Sequence, residues 1–209
     1  MSMALRRTLR TALPALAAAS ALALTGCTGG STANPSPSET ANPATSTIDA
    51  RPTPASSTEP ARNIPVPELP EAAKQNTKEG FEAFVRHYIS LLDYAYQTGD
   101  TEPALDHAGA GCTMCGTSAK SIDAATAAGG WIIGGRLTLS GFSTDGIPDA
   151  NGLWTAEVEL HQTETSNVSQ SGSVSALAPA ASATVLATAE YANGRWSMSD
   201  LGVPTEAHQ

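Results

Sequence analysis

Hydrophobic positions along the chain follow two different spacings. From residue 77 to 98 they recur with helical period. Phe81, Phe84, Val85, Tyr88, Ile89, Leu91, Leu92, Ala95 and Tyr96 share one broad face, the stripe by which an amphipathic helix buries itself on a core. Glu82, Arg86, Ser90, Asp93 and Gln97 occupy the opposite side, with Glu82 and Arg86 spaced as an i,i+4 ion pair. Asn76 and Glu79 have capping-box spacing, and Gly99 stands where a left-handed residue ends a helix. Asp100 or Thr101 then caps a short second helix through Leu105. A third helix is expected from about Cys115 to Ala128, closed by Gly129-Gly130. His87 and Asp93 lie off the apolar stripe of the long helix and are expected to face water.

Beyond Trp131 the period falls to two. Leu137, Leu139 and Gly141 alternate with Arg136, Thr138 and Ser140, and Ala156, Val158 and Leu160 with Thr155, Glu157, Glu159 and His161. Ala183, Val185, Ala187 and Ala189 repeat the pattern. These read as strands with one wet face. Asn193-Gly194 joins the last of them to Arg195–Leu201 as a two-residue hairpin, and Asn151-Gly152 marks a further turn. The polar, Ser-rich stretch 164–182 reads as a long hairpin tip or a disordered loop. Helices followed by an antiparallel meander make an α+β plan, with the helices covering one sheet face and residues 68–209 long enough for a single core.

The N-terminus follows another logic. Arg6, Arg7 and Arg10 precede an Ala/Leu-rich run at 11–24, too short to span a bilayer but of the length of a signal-peptide core. The run ends in Leu24-Thr25-Gly26-Cys27, which resembles the lipobox of bacterial lipoproteins. That resemblance implies a signal peptide at 1–26, removal of it, and a diacylglyceryl anchor on the Cys27 thiol. The partner so implied is the membrane, reached from its extracytoplasmic face, since two acyl chains suffice for stable anchoring. Residues 28–67 hold eight prolines and thirteen Ser/Thr. Such a segment buries too little apolar surface to offset its chain entropy, so 27–67 is expected to be a lipidated cysteine on a disordered, semi-extended tether.

Charge narrows the function classes. With 20 acidic against 11 basic residues the net charge is −9, and loss of the three signal-peptide arginines makes the mature chain more acidic still. A nucleic-acid partner, which requires a basic surface, is excluded. An acidic body is also repelled by anionic lipid, so the domain is expected to stand off the membrane. No phosphate-binding loop, HExxH or GxSxG pattern occurs, and no cofactor is implied.

The order of elements resembles the cone-shaped fold of the nuclear-transport-factor-2-like superfamily, in which a long N-terminal helix crosses a strongly curved antiparallel sheet. The segment from Phe81 to Asp100, with Cys112-Thr113-Met114-Cys115 and Gly130-Trp131 after it, also resembles an uncharacterised family of actinobacterial lipoproteins. The superfamily holds isomerases, dehydratases, ligand binders and scaffolds, so the fold implies no single activity. It often dimerises through the sheet, so a homodimer is a further option.

With Cys27 acylated, Cys112 and Cys115 remain. In an exported protein the pair is expected to be a disulfide. A thiol-disulfide oxidoreductase is the redox alternative, and a zinc site would need two ligands that His87, His107, His161 and His208 do not supply in any recognisable cluster. Tyr88, Tyr96, Trp131, Trp154 and His161 are the candidate pocket residues. If the face bearing His161, Glu157 and Glu159 is concave they line a pocket; if convex they are a solvated surface. No residue is assigned a catalytic role. The expected function is a tethered envelope domain that binds a protein or cell-wall partner, with a small-molecule binder or enzyme using the cone pocket as the alternative.

Overall fold

The computed structural model describes residues 50–203. The expected signal peptide at 1–26, the expected lipidation site Cys27 and the N-terminal part of the expected tether lie outside these residues. Three helices, α1 (Lys78–Thr98), α2 (Glu102–Leu105) and α3 (Thr113–Thr126), precede seven strands. The strands are β1 (Trp131–Gly134), β2 (Leu137–Ser143), β3 (Leu153–Gln162), β4 (Thr165–Val168), β5 (Val174–Ala178), β6 (Ala181–Ala192) and β7 (Arg195–Gly202). The fold is α+β, with N-terminal helices on a curved antiparallel sheet, as the element order predicts.

The curvature comes from bent ribbons. A four-stranded sheet runs β2-β3-β6-β7 and a three-stranded one β1-β4-β5. The strands of the small sheet are continuations of the large one past short corners: β1 into β2, β3 into β4, β5 into β6. Gly134 and Gly135 form the first corner with φ of 75° and 67°, a conformation that side-chain-bearing residues rarely adopt. Gly135 N–H donates to Glu164 O at 3.0 Å and Thr163 N–H to Arg136 O at 3.0 Å, which stitches this corner to the one between β3 and β4.

Helix α1 lies against the large sheet. Its predicted stripe is buried, with Phe81, Val85, Tyr88 and Ala95 wholly inaccessible. Phe81 packs on Phe142, Trp154 and Trp196 at centroid distances of 5.8, 5.7 and 5.4 Å. From the sheet, Trp154, Ala156 and Val158 face α1, opposite Ala189, Ala187 and Val185. The helix ends at Gly99 with φ 79°, and Asn193-Gly194 forms the two-residue hairpin with φ of 54° and 78°.

Several expectations are corrected. The N-cap of α1 is Thr77, not Asn76: Thr77 Oγ1 accepts the Gly80 N–H at 3.1 Å. A Cβ on Gly80 would fall on the Gln75 carbonyl oxygen, so the chain turns closely back on itself there. The third helix begins at Thr113 and ends at Thr126, with Cys112 as its N-cap. Strand β2 carries a bulge between Leu139 and Gly141. The extra residue reverses the alternation, so Gly141 stands opposite Glu159 and it is Phe142 that meets Phe81. Residues 164–182 form the β4–β5 hairpin and the start of β6, which meets the hairpin alternative and corrects the disordered one. Their Ser-rich composition hides this because the small sheet is supported by backbone pairing more than by large side chains.

Residues 50–67, placed in the tether by composition, include an ordered arm. Thr53 and Arg62 exchange two backbone hydrogen bonds at 2.8 and 2.9 Å, and Trp131 Nε1 donates to Ser56 O at 2.7 Å. The folded domain therefore starts earlier than residue 68. Prolines lower the entropy cost of ordering such a segment, and the partner that holds it is 75 residues away in sequence.

Candidate functional site

At the open end of the bent sheet lies a cleft of about 310 Å³. Tyr96 enters from the last turn of α1, Ser121 and Ile122 from α3, and Ile132 from β1. Gln162 and Thr165 come from the β3–β4 corner, with Leu177 and Ala178 from β5. The floor is apolar: Ile122 and Ile132 are buried and pack with Ala95. The polar groups are partly committed. Ser121 Oγ donates to Thr117 O at 3.0 Å, Thr165 Oγ1 to Thr163 O at 3.3 Å, and the Gln162 amide to Gly135 O at 3.5 Å. Among the described residues the half-buried Tyr96 hydroxyl has no hydrogen-bond partner. Asp, Glu, His, Lys, Arg and Cys are all missing from the lining.

Of the five candidate pocket residues, the cleft takes only Tyr96. Tyr88 and Trp154 are in the core under α1. Trp131 is the anchor of the arm. His161 is on the outer face of the large sheet, where its Nδ1 meets Ser182 Oγ at 2.9 Å, beside a shallow depression that also includes Glu159. Glu157 and Glu159 are exposed there too, so this face is the solvated one. The three tryptophans do not form a wall: Trp154 and Trp196 meet edge-on at 5.5 Å in the core, while Trp131 is elsewhere. Sequence reading missed Gln162, Thr165 and Leu177. Their signal was faint, since each sits at a strand end or bend whose position depends on the corner geometry.

Of two polar residues expected to face water, His87 is buried and Asp93 is partly covered. His87 is 5% exposed, and its Nε2 has no hydrogen-bond partner. The segment from α2 to His107 covers that side of α1, setting the two imidazoles edge-on at 5.2 Å. Burial, and secondarily the neighbouring His107, pushes the His87 pKa down to about 4. Asp93 receives Arg136 Nε and Nη2, each at 2.8 Å, and the Leu137 N–H at 2.9 Å. It thereby ties α1 to the start of β2. The Tyr88 hydroxyl is buried without a partner, and burial raises its pKa.

Cys112 and Cys115 form a disulfide with Cα atoms 5.3 Å apart. Cys112 Sγ also accepts the Cys115 N–H at 3.3 Å, capping α3. Both residues are buried in the main core cluster. Among the described residues no group of three or more His, Cys, Asp or Glu is placed to hold a metal ion, and no helix is long and apolar enough to cross a membrane.

A long helix across a bent antiparallel sheet, with a small uncharged cleft at the open end, defines an α+β cone domain. Within that class the chain belongs to the family of unknown function DUF6318, whose model matches residues 51–202 and so takes in the N-terminal arm. No curated protein sequence matches the chain. Among solved structures, the intermembrane-space region of the chloroplast protein ARC6 is similar at 12% identity and a TM-score of 0.44, covering 61% of this chain and 97% of that one. An uncharacterised protein with a cystatin-like fold from Caulobacter vibrioides is similar at 14% identity and a TM-score of 0.40, covering 61% and 92%.

Proposed function

We propose that the protein is an extracytoplasmic lipoprotein, anchored by a diacylglyceryl group on Cys27, whose domain binds a small uncharged ligand rather than transforming one. The observation that carries the binding reading is the cleft. It has an apolar floor and hydrogen-bonding groups at Tyr96 and Gln162, but no ionisable acid–base pair or thiol in its lining. General acid–base or nucleophilic chemistry needs such groups within reach of the reacting atoms. A ligand with a net charge would lose its hydration with no counter-charge in return, whereas an apolar body bearing a hydroxyl or carbonyl matches what the walls offer. The anchor is supported by the basic, apolar and lipobox elements in order at 6–27.

Two naphthalene probes that differ by a sulfonate test the ligand class. N-phenyl-1-naphthylamine is expected to gain fluorescence on binding, and 1-anilinonaphthalene-8-sulfonate to bind at least tenfold more weakly, about 1.4 kcal/mol. Ala178→Phe, which fills the cleft, should abolish the signal, and Tyr96→Phe should weaken the binding of a hydroxylated ligand only. Equal binding of both probes, or binding indifferent to Ala178→Phe, overturns the reading. For the anchor, the full chain should incorporate labelled palmitate and partition into detergent, and Cys27→Ala should do neither.

A further inference from the structure

We infer that the ligand of the cleft is a neutral single-chain lipid, its hydroxylated ester or amide head at Tyr96 and its acyl chain laid along the corner between β5 and β6. This deepens the binding reading above and rests on it. The residues at the β5 side of the cleft, Leu177 and Ala178, also border a second groove of about 360 Å³. Ala176, Pro179, Ala180 and the exposed Glu164 complete that groove. The two depressions therefore meet at β5. Leu177 is the extra residue of a β-bulge: Ala176 and Ala178 pair with Ser166 and Thr165, and Leu177 has no partner on β4. A bulge re-aims a side chain out of strict alternation, and this one leaves Leu177 51% exposed at the junction. A ligand that spans both depressions takes this apolar surface out of water.

The chemistry changes along this path, and it selects the occupant. In the cleft Tyr96, Ser121 and Gln162 supply hydroxyl and amide groups. Beyond Leu177 the groove offers alanine and proline, with Glu164 as its one charged residue. Apart from Tyr96 neither lining contains an aromatic ring, so a planar aromatic ligand finds little to stack on, whereas a methylene chain matches aliphatic walls. The Tyr96 hydroxyl, free of protein partners, is placed to donate to a carbonyl oxygen of the head. Charge excludes ionised lipids in either direction. Residues 165–189 form a run of 25 without Asp, Glu, Lys, Arg or His, so a carboxylate or phosphate in the cleft meets no counter-charge. At the groove end it would face Glu164.

The test uses the full chain in its own membrane, with photoreactive 1-acylglycerols whose diazirine sits either beside the ester carbonyl or at the chain end. Labelled peptides are read by mass spectrometry. The first probe is expected to label Tyr96 or Ser121, the second Ala176–Ala180. Competition for the label of a butanoyl probe in the cleft is then measured with 1-butanoylglycerol and 1-decanoylglycerol. Each is compared between the wild type and Ala180→Glu, so that partition into the bilayer cancels. Ala180 is exposed and borders the groove but not the cleft, so the fold tolerates the change. The variant should weaken the decanoyl competitor at least tenfold, because several methylenes lose their apolar wall, and leave the butanoyl one unchanged. Decanoate should compete at least tenfold more weakly than 1-decanoylglycerol. No label in either region, both diazirines on one peptide, equal competition by decanoate, or the same effect of Ala180→Glu at both chain lengths overturns the assignment. Naphthylamine binding in the cleft alongside any of these results removes the lipid and leaves the binding reading standing; its absence removes both.

Discussion

Replacing His87 by phenylalanine should flatten the acid dependence of stability. The imidazole is almost wholly enclosed between α1 and the segment that carries His107, and its Nε2 lacks a partner. Its folded pKa is about 4, below the 6.5 of an exposed histidine. Well above pH 6.5 the group is neutral in both states and adds no pH dependence. As the pH falls below 6.5 the unfolded chain takes up a proton that the folded chain refuses, so stability drops until the pH passes the folded value. Linkage over that window gives a loss of about 2 kcal/mol at pH 5 and about 3 kcal/mol at pH 4. Carboxylates also titrate in this range, but they do so in the variant as well and cancel in the comparison. Urea unfolding followed by the fluorescence of the buried Trp154 and Trp196 gives the free energy at each pH. Between pH 7.5 and pH 5 the variant should lose about 2 kcal/mol less than the wild type. Parallel curves would refute the enclosure of a neutral His87, whatever the absolute stabilities.

Other positions yield equally direct expectations. Phe81→Ala removes the ring at the centre of the Phe142, Trp154 and Trp196 cluster and should cost about 3–5 kcal/mol in denaturant titration. Gly99→Ala puts a Cβ at φ 79° and 2.9 Å from a Thr126 methyl; a lower melting temperature, equivalent to about 1–2 kcal/mol, is expected. Cys112→Ser with Cys115→Ser opens a short loop, for which chain entropy predicts a loss of about 2 kcal/mol. Amide exchange in the double variant should quicken first at the start of α3, where Cys112 Sγ accepts the Cys115 N–H. Asp93→Asn leaves Arg136 without its carboxylate and should cost about 1–2 kcal/mol, with faster exchange of the Leu137 amide as the local sign.

Helix α1 was legible because its whole length obeys one period and its stripe meets one large surface. Strand β3 was legible for the matching reason: buried and exposed residues alternate along most of it. The errors have separate causes. Asn76 and Thr77 are both good caps, and the choice turned on Gly80 fitting against Gln75. The bulge in β2 shifted the inward face by one residue, a change that two-residue periodicity cannot signal. His87 and Asp93 were read from a single helix with one buried side, but α2 and the corner at Arg136 cover the flanks as well.

By itself the sequence determined the class of fold, the helix ends at Gly99 and the disulfide partners, and it marked Cys27 as the expected anchor. These depend on local spacing, on backbone preferences of glycine and asparagine, or on a cysteine pair three residues apart. The tertiary structure alone decided which strand face is wet and that the Pro-rich arm docks on Trp131. It also brought Tyr96, Ile122, Ile132, Gln162 and Leu177 into one cleft. Those outcomes require residues far apart in the chain to meet, and the meeting is set by the angle at which the ribbons bend. That angle arises from a few corner residues acting on the whole sheet, so no window of sequence contains it.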